Sequence, residues 1–338
     1  MTAMDDTKKY FIGLDSIIDQ AKKGRHKCMC PNCQSNAIGS HVFSRSHILE
    51  PISRQSKIYQ FEQRPLVHMD DGIVRYWPKG IKEAFKFEGF CEKHDKKIFA
   101  PIEPKDGSII DWSKLQSQYL LCYRAICREI YTNQIMHDVF EHLIQHSETN
   151  IPYYKEQLMF KLARTNTNKS SLMYYKTFLE NGIFYSDFSN LHFYFAELPF
   201  QLDLCIASPV SIQNEKGPDF NRDYQDLYII NIFPYKGRTV IIIGYSNCFE
   251  NSWLKNIISK FESSYPHRVS SAFVDVLYRA EFHAMSPALF DSLDKELLDA
   301  FYQTWIKESG NFSEEIEEVS NLFYAQLNKI MPSTWKTL

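Results

Sequence analysis

The feature that most restricts the fold of this chain is the spacing of its cysteine and histidine residues near the N-terminus. A Cys-x-x-Cys pair, "CPNC", spans residues 30–33, and a Cys-x-x-His pair, "CEKH", follows at residues 91–94. Zinc takes four such ligands in a tetrahedron, and a two-residue gap lets one turn supply two of them. The predicted ligands of a structural Zn²⁺ ion are therefore Cys30, Cys33, Cys91 and His94. Within the first pair, Cys28 is the main competitor and His26 a lesser one.

The composition is that of a chain folded almost throughout. Hydrophobic residues make up 44% of its 338 residues. The N-terminal segment lacks the charged-then-apolar order of a secretory signal, and no run reaches the roughly 18 apolar residues of a membrane span. We therefore expect a cytoplasmic protein that does not enter a membrane, in which the eight cysteines are thiols and metal ligands rather than disulfides.

Charge is distributed unevenly along the chain. Residues 1–105 carry 18 Lys and Arg against 13 Asp and Glu, whereas the remainder is acidic. The segment "KKGRHK" lies directly before the cysteines, so a polyanion such as nucleic acid is the predicted partner, although a solvated face is the simpler alternative. The predicted phosphate contacts of this segment are Lys22, Lys23, Arg25 and Lys27.

The periodicity predicts an α+β chain: a small zinc domain over residues 1–105, followed by a larger domain over 106–338 with an antiparallel sheet flanked by helices. The larger domain shows no chemistry of its own and is assigned a regulatory, partner-binding or oligomerisation role, as a homo-oligomer or with another protein. The predicted elements are a short helix over 8–23, strands over 37–43 and 84–90, a hairpin with an Asp-Gly turn near 71, helices over 111–147, 152–181 and 251–333, and strands over 183–248.

The predicted elements follow the order of a treble clef: a turn with the first ligand pair, a strand, a loop, a second strand, and a helix that starts with the second ligand pair. On these motifs, residues 26–104 resemble the zinc-containing branch of the HNH, or ββα-metal, nucleases. The resemblance implies a metal-dependent nuclease acting on DNA or RNA. By its motif, His41 of "SHVF" is the expected general base, and Asp95, directly after His94, is expected to hold a catalytic Mg²⁺ or Mn²⁺ ion. Several phrases also resemble bacterial proteins associated with phage defence.

The pattern departs from the family at two positions. Ser40 stands where a second metal ligand is common, and "KFEGF" holds no counterpart of the middle Asn, so Glu103 or water would have to complete the ion's ligands. His47 is the second-choice base, and Arg45 is predicted to bind a phosphate.

Two other functions fit the sequence. The first is a non-catalytic, zinc-stapled module that binds nucleic acid or a protein. The second is a ribonuclease of the HEPN type in the C-terminal helices. It is based on "RAEFH" at residues 279–283, which resembles the Arg-x-x-x-x-His motif of that family, with His283 as the histidine, but is one residue shorter. "HDVFEHLIQH" is interpreted as a helix surface and "RAICRE", with Arg124, as an ion-pair surface.

Overall fold

The structure, a computed structural model, describes seven ranges of the chain. These are residues 16–24, 26–63, 74–146, 152–212, 226–246, 252–307 and 319–332. The start of the predicted N-terminal helix and the predicted Asp-Gly turn lie outside these ranges, whereas residues 16–22 are helical.

Within the described residues, seven strands form one antiparallel sheet. In chain order they are β2 (Lys57–Gln63), β3 (Val74–Gly80), β5 (Leu191–Leu198), β6 (Leu204–Ser211), β7 (Leu227–Tyr235), β8 (Arg238–Ser246) and β9 (His283–Met285). Across the sheet the order is β3, β2, β9, β6, β7, β8, β5. A separate pair is formed by β1 (Ile38–His41) and β4 (Lys86–Phe90).

The β7–β8 hairpin shows why the central strands read as almost continuous apolar runs. Successive side chains of a strand point to opposite faces. Ile230 and Ile232 pack into the core on one face, and Ile229 and Phe233 pack into the core on the other. Both faces are buried, so alternation between apolar and polar residues is absent. The predicted Lys-Gly turn is confirmed, with φ positive at both of its residues, as a type I′ turn requires.

Helices cover both faces of the sheet. In chain order they are α1 (Glu92–Ile98), α2 (Leu115–His146), α3 (Pro152–Tyr185), α4 (Ser252–Phe261), α5 (Pro266–Arg279), α6 (Pro287–Ser292), α7 (Lys295–Lys307) and α8 (Tyr324–Ile330). The long helices α2 and α3 pack against each other on one face, and α4 to α8 contribute to the core on the other. The mixed α and β character and the antiparallel sheet are thus confirmed.

Helix α2 begins later than predicted. Asp111, the expected N-cap, accepts hydrogen bonds from the backbone N–H and the hydroxyl of Ser113, at 3.1 and 2.6 Å, and so closes a turn before the helix. Within this turn, the buried Trp112 packs against Phe233 of β7. The predicted N-cap therefore closes a turn that precedes the helix, and the helix itself begins at Leu115.

The N-terminal region is built into the main fold. Strands β2 and β3 belong to the seven-stranded sheet, which they join through β9. The core below β1 and β4 is continuous with side chains of α2 and of β7 and β8. Residues on the two sides of the predicted boundary at 105 therefore share one sheet and one core.

Candidate functional site

Four side chains from two segments bring their metal-binding atoms together. The sulphur atoms of Cys28, Cys33 and Cys91 and a ring nitrogen of His94 all lie within 4.8 Å of one another. Nδ1 of His94 is 3.4 Å from Sγ of both Cys28 and Cys91, and Sγ of Cys33 is 4.0 Å from Sγ of Cys91. The group can hold a metal ion such as zinc.

The distances suit a tetrahedral zinc ion. With Zn–S bonds of about 2.3 Å and a Zn–N bond of about 2.0 Å, the edges of the tetrahedron are about 3.8 Å between two sulphurs and about 3.5 Å between sulphur and nitrogen. The corresponding distances of 4.0 and 3.4 Å lie close to these values. Three thiols and one imidazole are also a donor set that zinc prefers over oxygen-seeking ions such as Mg²⁺.

Cys28 takes the place that the sequence predicted for Cys30. The N–H of Cys28 bonds to the carbonyl of Ser35 at 2.9 Å, and the N–H of Met29 bonds to the carbonyl of Gly89 at 2.8 Å. The second bond holds the segment around Cys28 beside the end of β4, directly before Cys91. Cys30 instead opens a four-residue turn, closed by the N–H of Cys33, and its sulphur is not among the four clustered ligand atoms.

Backbone donors support the sulphur of Cys28. Burial raises the pKa of Cys28 to about 12, although the N–H groups of Cys91 and Cys30 point at its sulphur and lower the pKa. In the same way, the N–H of Ser35 lowers the pKa of Cys33. These donors are directed at the two sulphurs that would carry negative charge on a metal, which is consistent with Cys28 and Cys33 as the pair from this segment.

The predicted base, His41, is the last residue of β1 and is half-buried. Its Nε2 lies 2.9 Å from the carbonyl oxygen of Lys82, so Nε2 is the protonated nitrogen of the neutral ring. Burial, the largest effect, lowers the pKa of His41 below 6.5, and the charges of Arg45 and Arg124 lower it further. The hydrogen bond to the carbonyl of Lys82 and the charge of Glu103 raise the pKa in part. His41 therefore lies among two arginines and a carboxylate and is neutral at pH 7.

A buried arginine contacts the carboxylates of Asp95 and Glu103. Arg124 of α2 has only 1% of its side chain exposed. Its Nη1 donates to Oε1 of Glu103 at 2.7 Å, its Nη2 lies 3.6 Å from Oδ1 of Asp95, and its guanidinium carbon lies 4.0 Å from the centre of the Phe99 ring. The cation beside Asp95 is thus a guanidinium supplied by the protein.

The residues near His41 do not form a ready ligand set for the predicted Mg²⁺ or Mn²⁺ ion. Asp95 and Glu103 face Arg124, and Ser40 is 1% exposed with no hydrogen-bond partner for its hydroxyl among the described residues. In the described ranges, one further cluster of possible metal ligands lies apart from the thiol group, on the partly exposed surface of α2: His137, Asp138 and Glu141.

The other predicted site residues lie around β1. His47 is in a π-helical turn, Arg45–Leu49, and its Nδ1 is 2.9 Å from the hydroxyl of Ser44. Arg45 is exposed at the start of that turn. Lys22 and Lys23 are also exposed, and Arg25 lies outside the described residues. Lys27 is exposed, but its Nζ bonds to the carbonyl of Gln34 and the side chain of Asn36.

The comparisons with known proteins found no relative. No protein-family model matches the sequence, and no curated protein or solved structure is significantly similar to the chain. In the ranges that the structure describes, no helix combines the length and the apolar character that a bilayer span requires.

His283, which the HEPN alternative needs, is buried in the core at the centre of the sheet. It is 0% exposed, accepts or donates a hydrogen bond with the hydroxyl of Tyr76 at 2.6 Å, and stacks on Phe61. Burial lowers its pKa to about 3. Arg279 is directed away from this site and pairs with Asp275. His283 cannot touch a nucleic acid without unfolding of the core.

Sequence reasoning missed Arg124 as the partner of Asp95. The segment "RAICRE" was expected on an ion-pair surface, whereas Arg124 lies inside the protein. The sequence carries a usable signal: Arg124 is the one charged residue in the run "YLLCYRAIC" at residues 119–127. A charged residue inside such a run needs a buried counter-ion.

Proposed function

We propose that this protein is a nuclease with an HNH-like centre built on a treble-clef zinc motif, and that His41 is its general base. The order of elements supports the proposal, because the cysteine segment, β1, β4 and α1 follow one another as in that family. The observation that carries it is the state of His41: a neutral, oriented imidazole at the end of β1, beside Arg45, Arg124 and Glu103.

The geometry assigns a step to each group near His41. Because Nε2 donates to Lys82, Nδ1 has no proton and can accept one from water. The exposed guanidinium of Arg45 is close enough to act on the pKa of His41, and it suits a phosphodiester oxygen next to the attacked phosphorus. Arg124 is too deeply buried to touch substrate; it holds Glu103, whose charge acts on His41, and it contacts Asp95.

A second candidate function is a non-catalytic zinc module that binds nucleic acid. It is favoured by the contact between Arg124 and Asp95, since binding of a divalent ion by Asp95 would require that guanidinium to give way. The exposed Lys22, Lys23 and Arg45 then serve binding alone. In this case affinity falls steeply with salt, and no bond is cleaved.

The test uses the purified protein on plasmid DNA, single-stranded DNA and RNA, with Mg²⁺, with Mn²⁺ and without added metal. We expect cleavage to fall about 100-fold or more in His41→Ala, the size of effect typical of a lost general base. His47→Ala tests whether His47, the second-choice base, is the base instead. The matched control is His267→Ala, which removes an exposed histidine of α5. Zinc content and melting temperature are measured for each variant.

The pH profile adds a readout that a structural role would not change. Because the pKa of His41 lies below 6.5, we expect cleavage to be constant near pH 7 and to decline on the acid side with an apparent pKa below 6.5. Undiminished cleavage by zinc-replete His41→Ala would rule the proposal out. Salt-sensitive binding with no cleavage of any substrate would establish the second candidate.

A further inference from the structure

A cavity lies beside the four-ligand group, with Cys30 and His94 in its lining. Its volume is about 520 Å³, within the range of small-molecule sites. Its lining comes from α1, the first turns of α2, the C-terminal end of α3 and the residues that follow it, together with Cys30 and Pro101. Its lining includes His94, Lys97, Gln116, Tyr119, Phe184 and Phe188.

Aromatic rings form one wall of the cavity. Phe184 and Phe188 are 38% and 37% exposed, which is unusual for two phenylalanines so close in sequence. Phe188 packs edge-on against Tyr119, with ring centres 4.9 Å apart, and Phe184 contacts no other ring in the described ranges. Gly182 lets the ring of Tyr119 approach α3, because a Cβ there would lie 2.2 Å from a ring carbon. The ring of Phe188 is therefore packed on Tyr119, and Tyr119 in turn packs closely on α3.

Polar groups at the same cavity lack partners. Lys97 is exposed and forms no ion pair with any described residue, and the side-chain amide of Gln116 makes no hydrogen bond there. Tyr119 is 1% exposed, and its hydroxyl has no hydrogen-bond partner among the described atoms. A buried hydroxyl without a partner is costly unless something else satisfies it.

We propose that this cavity binds a nucleotide, with the base against Phe184 and Phe188 and the phosphate on Lys97. Every nucleobase offers a flat face for stacking, and an amide such as that of Gln116 can donate to and accept from a base edge. The ammonium group of Lys97 supplies the charge that a phosphate needs. The nucleotide is either free or an unpaired unit of a single strand.

The site is independent of the proposed cleavage centre. Asp95 and Arg124 lie on one side of α1, and the cavity lies on the side of His94 and Lys97. Binding of a nucleotide here can therefore be present in a protein that cleaves nothing, and cleavage at His41 can be present without it.

The test measures binding of AMP by calorimetry and of a fluorescent phosphorothioate oligothymidylate by anisotropy, since neither ligand is readily cleaved. We expect Phe188→Ala and Lys97→Ala each to weaken binding about tenfold. Lys93→Ala is the matched control, an exposed lysine of the same helix that does not line the cavity. The melting temperature of each variant shows whether it folds.

The two ligands separate the two sources. Binding of AMP supports a site for free nucleotides, and binding of the oligonucleotide alone supports a site for a single-stranded unit. Failure of both to bind the parent protein, or equal affinity in Phe188→Ala and Lys97→Ala, would overturn the proposal. So would displacement of AMP by dodecanoate as easily as by unlabelled nucleotide, because dodecanoate is an anion with an apolar tail but no ring.

Discussion

The four-ligand group gives a sharp test, because it contains Cys28 in place of the predicted ligand Cys30, two residues away. The perturbation is the pair of variants Cys28→Ser and Cys30→Ser. Only the sulphur of Cys28 belongs to the four-ligand group. We therefore expect Cys28→Ser to lose zinc to a competing chelator under conditions in which Cys30→Ser keeps it. A ligand choice based on the Cys-x-x-Cys spacing alone predicts the opposite.

The magnitude follows from the number of ligands. Structural zinc in small domains contributes about 10–16 kcal/mol at pH 7, and one of four bonds is roughly a quarter of that, about 3 kcal/mol. Loss of the bond to Cys28 should then weaken zinc binding about 100-fold. Cys30→Ser removes no ligand, so its affinity should stay within about threefold of the parent.

Two measurements check this result. Metal analysis of the dialysed proteins gives the number of zinc ions per chain, which should be one in the parent and in Cys30→Ser. A thiol reagent then reports which sulphurs are free: in the parent, Cys30 should react while the metal-bound thiols are protected. Full zinc retention in Cys28→Ser together with loss in Cys30→Ser would refute the assignment.

Three further predictions follow from buried side chains. Arg124→Met should lower the free energy of unfolding by about 2 kcal/mol in chemical denaturation, because Glu103 loses its charged hydrogen bond; an unchanged value would contradict the pairing. Gly182→Ala should lower the melting temperature, although alanine favours helices, because its Cβ would lie 2.2 Å from the ring of Tyr119; a rise would show that the ring can move. The pKa of His283 is about 3 in the folded state against 6.5 in the unfolded state, so its contribution to the free energy of unfolding is complete above pH 6.5 and should decline by about 1.4 kcal/mol per pH unit towards pH 3. His283→Phe should therefore flatten the dependence of the free energy of unfolding on pH, and an unchanged slope would refute this.

Local patterns predicted the elements that depend on local forces. The β7–β8 hairpin follows from two β-branched runs around Lys236 and Gly237, and the course of α2 follows from its apolar periodicity. The predicted strands near β1 and β4 and the start of α1 at the second ligand pair also correspond to the structure. In each case the residues that determine the element lie within it.

The features that could not be predicted from the sequence depend on contacts between residues far apart in the chain. Among the described strands, β2 and β3 join the rest of the sheet through β9, a strand of three residues that is more than 200 positions away in the chain. A strand so short leaves no periodic signal. Cys28 is likewise held near Cys91 by a bond between distant segments, from the N–H of Met29 to the carbonyl of Gly89.

The short helix α1 explains how a few residues can hold two sites in place. A seven-residue helix is not stable alone, so its position must come from contacts at its ends and faces. Cys91 and His94, which lie at the start of α1, belong to the four-ligand group, and the guanidinium of Arg124 contacts Asp95 on a neighbouring face. Lys97, in the following turn, lines the cavity together with His94, so one short helix carries a candidate metal ligand, the carboxylate that faces Arg124 and a lysine of the cavity.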